Sequence, residues 1–182
     1  MDYKSATREF YDYYGSAFGK DKSGDYDSFV IDYLSEEIEL FLRSLKGKAI
    51  LDLGSGPGRD ALSFKLKGLE PLCMDISRAM SRFCKERGFV SVVGDMTNLP
   101  FSPSSFSGVW AYASLLHVPK KIFPSVLDEV HCVLNYRGVF FIGMKEGDYE
   151  GFIPNPLAPI YSKFVAMYND SELRSFIEKD FK

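Results

Sequence analysis

Residues 51–60 read LDLGSGPGRD: a short apolar run, then Gly54, Gly56 and Gly58, then a stretch with helical spacing. No other segment restricts the fold as much. Glycines at such a junction let the backbone bend sharply between a strand and a helix, and they let a ligand approach the strand end with no Cβ in the way. The same alternation continues along the chain. Residues 49–53, 70–74, 89–93, 108–112 and 138–144 are five short apolar runs of the length expected for buried strands. Between them, 59–67, 77–87 and 121–134 carry apolar residues at helical spacing, with Ser77 as an N-cap. Strands separated by helices imply right-handed crossovers and a parallel sheet covered on both faces, hence a doubly wound α/β domain.

The 182 residues match the size of one domain, so 1–182 is read as a single unit. Its N-terminal part, 1–46, holds two predicted helices, 3–17 and 26–45, that cap the sheet; 47–147 is the nucleoside-binding core. In 148–182, Pro154, Pro156 and Pro159 predict an irregular crossing. A last helix over 171–179 follows, started by Asp170 or Ser171. With 46% apolar and 26% charged residues the chain is a folded one. A formal charge of −3 disfavours nucleic acid as a partner, because neutralising phosphates takes clustered cationic side chains. Cys73, Cys84 and Cys132 fit no disulfide framework and no metal-ligand spacing, so reduced thiols and no metal are expected. No apolar stretch has the length of a signal or membrane segment, so no membrane partner and a cytoplasmic location are expected. Aromatic residues, 15% of the chain, concentrate near both ends and suggest a pocket lined with rings.

The strand ends carry the chemistry. Asp75 closes the second strand about twenty residues after Gly54, where a carboxylate can accept both hydroxyls of an adenosine ribose. Asp95, in the GDM of the third strand end, can accept from the exocyclic amine of adenine while the Met96 backbone donates. Ile76 and Met80 can sandwich the ring. A phosphate cradle is disfavoured: no Lys-Ser/Thr pair follows the glycines, and Arg59 stands where a dinucleotide fingerprint has its third glycine. That departure also weighs against a nicotinamide-dependent oxidoreductase.

LDLGSGPGRD, MDIS (74–77), GDM (94–96), LPFSPSSFSGVWAYASLLHVP (99–119) and VLNYRGVFFIGMKEG (133–147), in this order, resemble the class I S-adenosylmethionine-dependent methyltransferases that act on small molecules. The resemblance implies a Rossmann-like, doubly wound, mainly parallel sheet with N-terminal cap helices and S-adenosyl-L-methionine as cofactor, released as S-adenosyl-L-homocysteine. It implies that Asp52 orients the glycine loop and helps hold the cofactor's amino group, and that Gly54, Ser55, Gly56 and Gly58 pass beneath the methionine and ribose. It further implies Asp75 at the ribose, Asp95 and Met96 at the adenine, and the backbone near Ala111 at the methionine end. Tyr11 and Tyr14 match tyrosines that close over the cofactor, with Tyr14 towards the substrate; packing within their helix is the other reading. His117 lies at the pocket mouth, either as a general base for the acceptor or as a hydrogen-bonded structural histidine.

The chain departs from the pattern at two places. YRG at 136–138 stands where relatives often have PGG, and EKDFK (178–182) resembles the approach to a sixth strand, so the resemblance implies that the sequence is either naturally short of the last two strands of the usual seven or a C-terminally truncated form. A fifth strand left at the edge, with Val139, Phe140, Phe141 and Ile142, is a pairing hazard. It is expected to be covered by a second copy, a partner chain or the 151–168 segment. Two functions are carried forward: methyl transfer to a small-molecule acceptor, and a catalytically incomplete S-adenosylmethionine-binding module acting with a partner chain. Replacing Asp75 with Ala is expected to weaken S-adenosylmethionine binding by about 1.5–3 kcal/mol, the range for hydrogen bonds to a charged group, as measured by titration calorimetry.

Overall fold

Five of the apolar runs pair as a parallel sheet. In the computed structural model, which describes residues 2–18, 34–156, 158–179 and 181, they are β1 (Ala49–Leu53), β2 (Glu70–Asp75), β3 (Val90–Val93), β4 (Phe106–Tyr112) and β5 (Leu134–Gly143). Their order is β3-β2-β1-β4-β5, and every pair is parallel. β1 and β4 lie inside the sheet and are buried along nearly their whole length, as parallel strands covered on both faces must be. From β1 the chain first winds outward through β2 and β3, then returns to the other side for β4 and β5. The reversal leaves a crevice beyond the carboxyl ends of β1 and β4, where open α/β sheets bind ligands.

Side-chain alternation sorts the core into two layers. Ile50 and Trp110 face the helix α2 (Ser35–Ser44), meeting Ile38, Phe41 and Phe64. Leu51, Leu53, Val109 and Ala111 face the opposite way. There they pack with Phe123, Val126, Leu127, Val130 and Val133 of α5 (Phe123–Val133). The helices α3 (Arg59–Leu66) and α4 (Arg78–Glu86) follow β1 and β2. Ser77 caps α4 as expected, its hydroxyl accepting from the Met80 N–H at 3.2 Å. Cys73 and Cys84 are buried and Cys132 is exposed, all as free thiols.

Trp110 is the anchor of the first layer. Its ring stacks on Phe141 at 4.0 Å and meets Phe41 and Phe64 edge-on, while its indole N–H donates to Asp60 Oδ2 at 2.8 Å. The other Asp60 oxygen accepts from Arg59 Nε at 2.7 Å. A central strand is thereby tied to the first turn of α3.

Three expectations change. The second cap helix begins only at Ser35 within the described residues, and positions 26–33 lie outside them. The last helix, α6 (Asp170–Ile177), is capped by Asn169, whose Oδ1 accepts from the Glu172 N–H at 2.9 Å; neither Asp170 nor Ser171 is the cap. The 151–168 segment is not irregular: β6 (Glu150–Pro154) and β7 (Ser162–Ala166) form an antiparallel hairpin. Pro154 is the last residue of β6, and Pro156 and Pro159 fall in the connection, so no proline interrupts the ladder. The hairpin is a separate sheet, packed on α1 (Tyr3–Phe18) and on a 3₁₀ turn, Leu115–His117. It therefore does not pair along β5, whose outer edge has no strand partner among the described residues. Among those residues no helix is long and apolar enough to cross a membrane.

Trp110→Phe keeps the ring stack and removes the donor to a buried carboxylate. It is expected to destabilise the fold by about 1.5–3 kcal/mol, measured as a shift of the urea midpoint.

Candidate active site

The glycine turn is clamped to the neighbouring strand. The N–H groups of Gly54 and Ser55 both donate to the Met74 carbonyl, at 2.7 and 3.0 Å, and the Gly58 N–H closes the turn on Ser55 O at 3.0 Å. Gly54 and Gly56 have φ of +76° and +53°, a region that glycine enters without the steric cost other residues meet. At Gly54 space is also decisive, since a Cβ would fall 2.3 Å from the Ser114 Cβ. A Cβ at Gly56 would meet nothing within 4 Å, and this glycine borders a cavity.

Two carboxylates face that cavity in different states. Asp75 Oδ2 accepts from the Gly56 N–H at 2.9 Å and Oδ1 from the Ser77 N–H at 2.8 Å. Burial raises its pKa to about 6, against the opposing pull of those two donors. Asp52, at the end of β1, is buried with no hydrogen-bond partner for Oδ2 among the described residues, and Ser114 Oγ nearby is likewise unpartnered. Burial first, then the Asp60 charge, push Asp52 well above the ordinary carboxylate range. The site presents two buried polar groups, Asp52 Oδ2 and Ser114 Oγ, whose hydrogen-bonding capacity is unused among the described residues.

Helix α1 roofs the cavity. Asp12 Oδ1 accepts from Ser77 Oγ at 2.6 Å and from the Ala79 N–H at 3.1 Å, so α1 is bonded to the start of α4. Tyr11 Oη lies 2.8 Å from His117 Nε2, and His117 Nδ1 lies 2.6 Å from the Phe164 carbonyl of β7. A carbonyl only accepts, so Nδ1 carries the proton and Nε2 accepts from the tyrosine. Burial pushes the imidazole pKa down to about 4. His117 is thus neutral at physiological pH, with its lone pair already engaged.

Most of the residues singled out from the sequence meet at one cavity of about 220 Å³. Tyr11, Tyr14, Asp52, Gly54, Ser55, Gly56, Asp75, Ile76, Met80, Met96 and His117 all line it. Gly58, Asp95 and Ala111 do not. Gly58 is packed against Cys84 and Phe89 at the start of α3. Asp95 is occupied: Oδ1 accepts from the N–H and hydroxyl of Thr97, both at 2.9 Å, and Oδ2 pairs with Lys4 at 2.5 Å. Although burial opposes it, Lys4 and Thr97 hold that carboxyl below its usual range. Ala111 is fully buried in the core, and Tyr112, Ala113 and Ser114 reach the cavity in its place. The sequence reading missed Thr7, Arg59 and Phe83 in the wall and Asp12 above it. Arg59 was visible as the residue after the glycines; Asp12 carried no local signal, because its partners are 65 and 67 positions away.

Comparison with known proteins agrees with this geometry. Residues 50–138 match a family model described as a methyltransferase domain. The sterol 24-C-methyltransferase erg6 of Schizosaccharomyces pombe is 31% identical over 119 residues, covering 59% of this chain and 31% of that protein. The match therefore spans about a third of the relative's length. A solved S-adenosylmethionine-dependent methyltransferase of Methanosarcina mazei superposes with a TM-score of 0.69 at 18% identity, over 79% of this chain and 82% of that one. The Burkholderia thailandensis 1,6-didemethyltoxoflavin-N1-methyltransferase, solved with 1,6-didemethyltoxoflavin and S-adenosylhomocysteine, has a TM-score of 0.64 at 18% identity. It covers 91% of this chain and 75% of its own. At such identities these two structures speak to the fold.

If Asp75 takes the two hydroxyls of a ribose, as the sequence reading expects, its carboxylate would accept both and its protonated form would not accept equally. Binding therefore selects the deprotonated form and lowers its pKa. Affinity for S-adenosylhomocysteine is expected to fall as the pH drops through about 6, approaching about tenfold per pH unit for one linked proton. Calorimetry across pH 5 to 8, with a check for proton release on binding, measures this.

Proposed function

We infer that the chain is a methyltransferase, from the match of residues 50–138 to a methyltransferase domain and from a fold shared with a solved S-adenosylmethionine-dependent methyltransferase. From that premise we propose that it transfers a methyl group from S-adenosylmethionine to a small-molecule acceptor by in-line displacement. The observation that carries this reading is the unpartnered, buried Asp52 Oδ2 in a glycine-lined cavity that also holds Asp75. A buried carboxylate without a donor is costly, and an ammonium group is the ligand that removes the cost. Asp52 would take the amino group of the cofactor's methionine, with Ser114 Oγ beside it as a further polar partner. Asp75, already oriented by the N–H groups of Gly56 and Ser77, would take the ribose. Ile76, Met80 and Met96 offer apolar walls for the adenine.

When bound, S-adenosylmethionine supplies an electrophilic methyl group on a sulfonium sulfur that departs as a neutral thioether. The protein then has no leaving group to protonate, so its work is alignment of nucleophile, methyl carbon and sulfur. Tyr11 and His117 serve that purpose. The neutral imidazole fixes the tyrosine hydroxyl through Nε2 and is itself fixed by the Phe164 carbonyl, which sets one wall of the cavity in a single rotamer.

The outer edge of β5, which has no strand partner among the described residues, favours a second reading, an S-adenosylmethionine-binding module that works with a partner chain. Titration of the purified chain with S-adenosylmethionine, S-adenosylhomocysteine and NADH tests both. Micromolar binding of the two adenosyl ligands and none of NADH is expected. Failure of the folded chain to bind either adenosyl ligand would overturn the proposal. Binding without turnover on a broad acceptor panel, together with a stable co-purifying chain, would replace it with the second reading.

A further inference from the structure

A second cavity, of about 490 Å³, adjoins the first and shares Tyr11, Tyr112, Ala113 and His117 with it. Its remaining wall comes from the ends of β4 and β5 and from the hairpin. Met144, Ile153, Val165 and Met167 make it apolar, and Lys145 and Lys163 are its charged members, with no Asp or Glu among the lining residues.

Lys163 is the unusual group. It is only partly exposed, and its ammonium lies over the rings of Phe10 and Tyr11 at 5.0 and 5.4 Å. Its hydrogen bond is a long one to Tyr11 Oη at 3.3 Å. Lys4, Lys67 and Lys120 each pair with a carboxylate, whereas Lys163 and Lys145 have no ion-pair partner among the described residues. Burial first, and then the Lys145 charge, lower the Lys163 pKa. The protein therefore holds a desolvated ammonium beside a second cation, at the wall of an apolar cavity that shares Tyr11 and His117 with the proposed methyl-transfer site. A ligand anion would relieve both the desolvation and the repulsion.

We infer that this second cavity is the acceptor subsite, and that it takes a small organic acid whose carboxylate pairs with Lys163 while its apolar body lies on the methionines and valine. This rests on the methyltransferase reading for its purpose, though not for its binding chemistry. Lys145, on the same rim, adds to the attraction. The acceptor's nucleophilic atom would then reach past Tyr11 and His117 into the first cavity.

The test uses benzoate and its neutral isostere benzamide, titrated into the full chain with and without S-adenosylhomocysteine. The methyl carbon signals of Met144 and Met167 are followed by NMR. Benzoate is expected to half-saturate those signals at roughly tenfold lower concentration than benzamide, as one charge-assisted hydrogen bond implies. Lys163→Met should abolish the difference, Lys163→Arg should keep it, and S-adenosylhomocysteine affinity should stay the same in both variants. No response to benzoate, equal responses to the two probes, or a preference that survives Lys163→Met would overturn the inference. A preserved benzoate preference in a chain that fails to bind S-adenosylhomocysteine would overturn the methyl-transfer proposal and leave the anion subsite standing.

Discussion

Three carboxylates buried at one strand–turn–helix junction set the terms for the structure around them. Taking a charge out of water costs several kcal/mol unless it is paired and hydrogen-bonded, and Asp60, Asp75 and Asp52 meet that cost in three ways. Asp60 is saturated by the Trp110 indole and the Arg59 guanidinium, and becomes a structural tie between β4 and α3. Asp75 is half-compensated by two backbone N–H groups and retains lone pairs for a ligand. Asp52 keeps one oxygen unpartnered, so without a ligand its cost is met by holding a proton, as its raised pKa shows. All three line the one cavity, and their hydrogen bonding separates the carboxylate that holds the fold from the two with capacity left for a ligand.

The crevice becomes a cavity only because two other elements cross it. Helix α1 is fastened through Asp12 to the start of α4, through Lys4 to Asp95, and through Thr7, whose hydroxyl accepts from the Phe164 N–H at 3.1 Å. β7 is fastened to the 3₁₀ turn by the His117–Phe164 bond. These are directed bonds, each weak beside the core packing, and Tyr11 adds two more. The tyrosine takes a bond from Lys163 and gives one to His117, so the roof and the wall between the two cavities share a single side chain.

The parts of this arrangement legible in the sequence are those that depend on local pattern. The five strands, their order of appearance and the glycine turn were readable because buried parallel strands are short apolar runs, and because a ligand-facing turn needs glycine. Asp75 was readable as a cavity residue because a strand end places its side chain predictably, whereas Asp52 followed only from the family resemblance. The hairpin was not readable: three prolines suggested irregularity, and only the strand pairing shows that Pro154 stands at the end of the ladder, opposite Ser162, with the other two beyond it. Asp95 looked free for adenine until Lys4, 91 positions before it, was found to occupy it. Contacts at such separations leave no periodicity to read.

That difference in legibility has a physical origin in the two halves of the site. The cofactor half is built from backbone turns and strand ends, whose geometry follows from the sheet itself and so is common to any chain with this topology. The proposed acceptor half is built from α1 and the β6–β7 hairpin, which lie outside the five-stranded sheet and meet it through core packing of Phe164 and Ala166, a backbone bond from the Gly147 N–H to the Tyr168 carbonyl and side-chain bonds. Their exposed residues can change without altering the strand pairing, because the five strands bond to one another. Lys163 sits in β7 rather than in a sheet strand, and its cost falls on the hairpin and α1, where the core does not have to absorb it. A charge placed on a replaceable wall is therefore where specificity for the acceptor can reside while the cofactor half stays as the fold dictates.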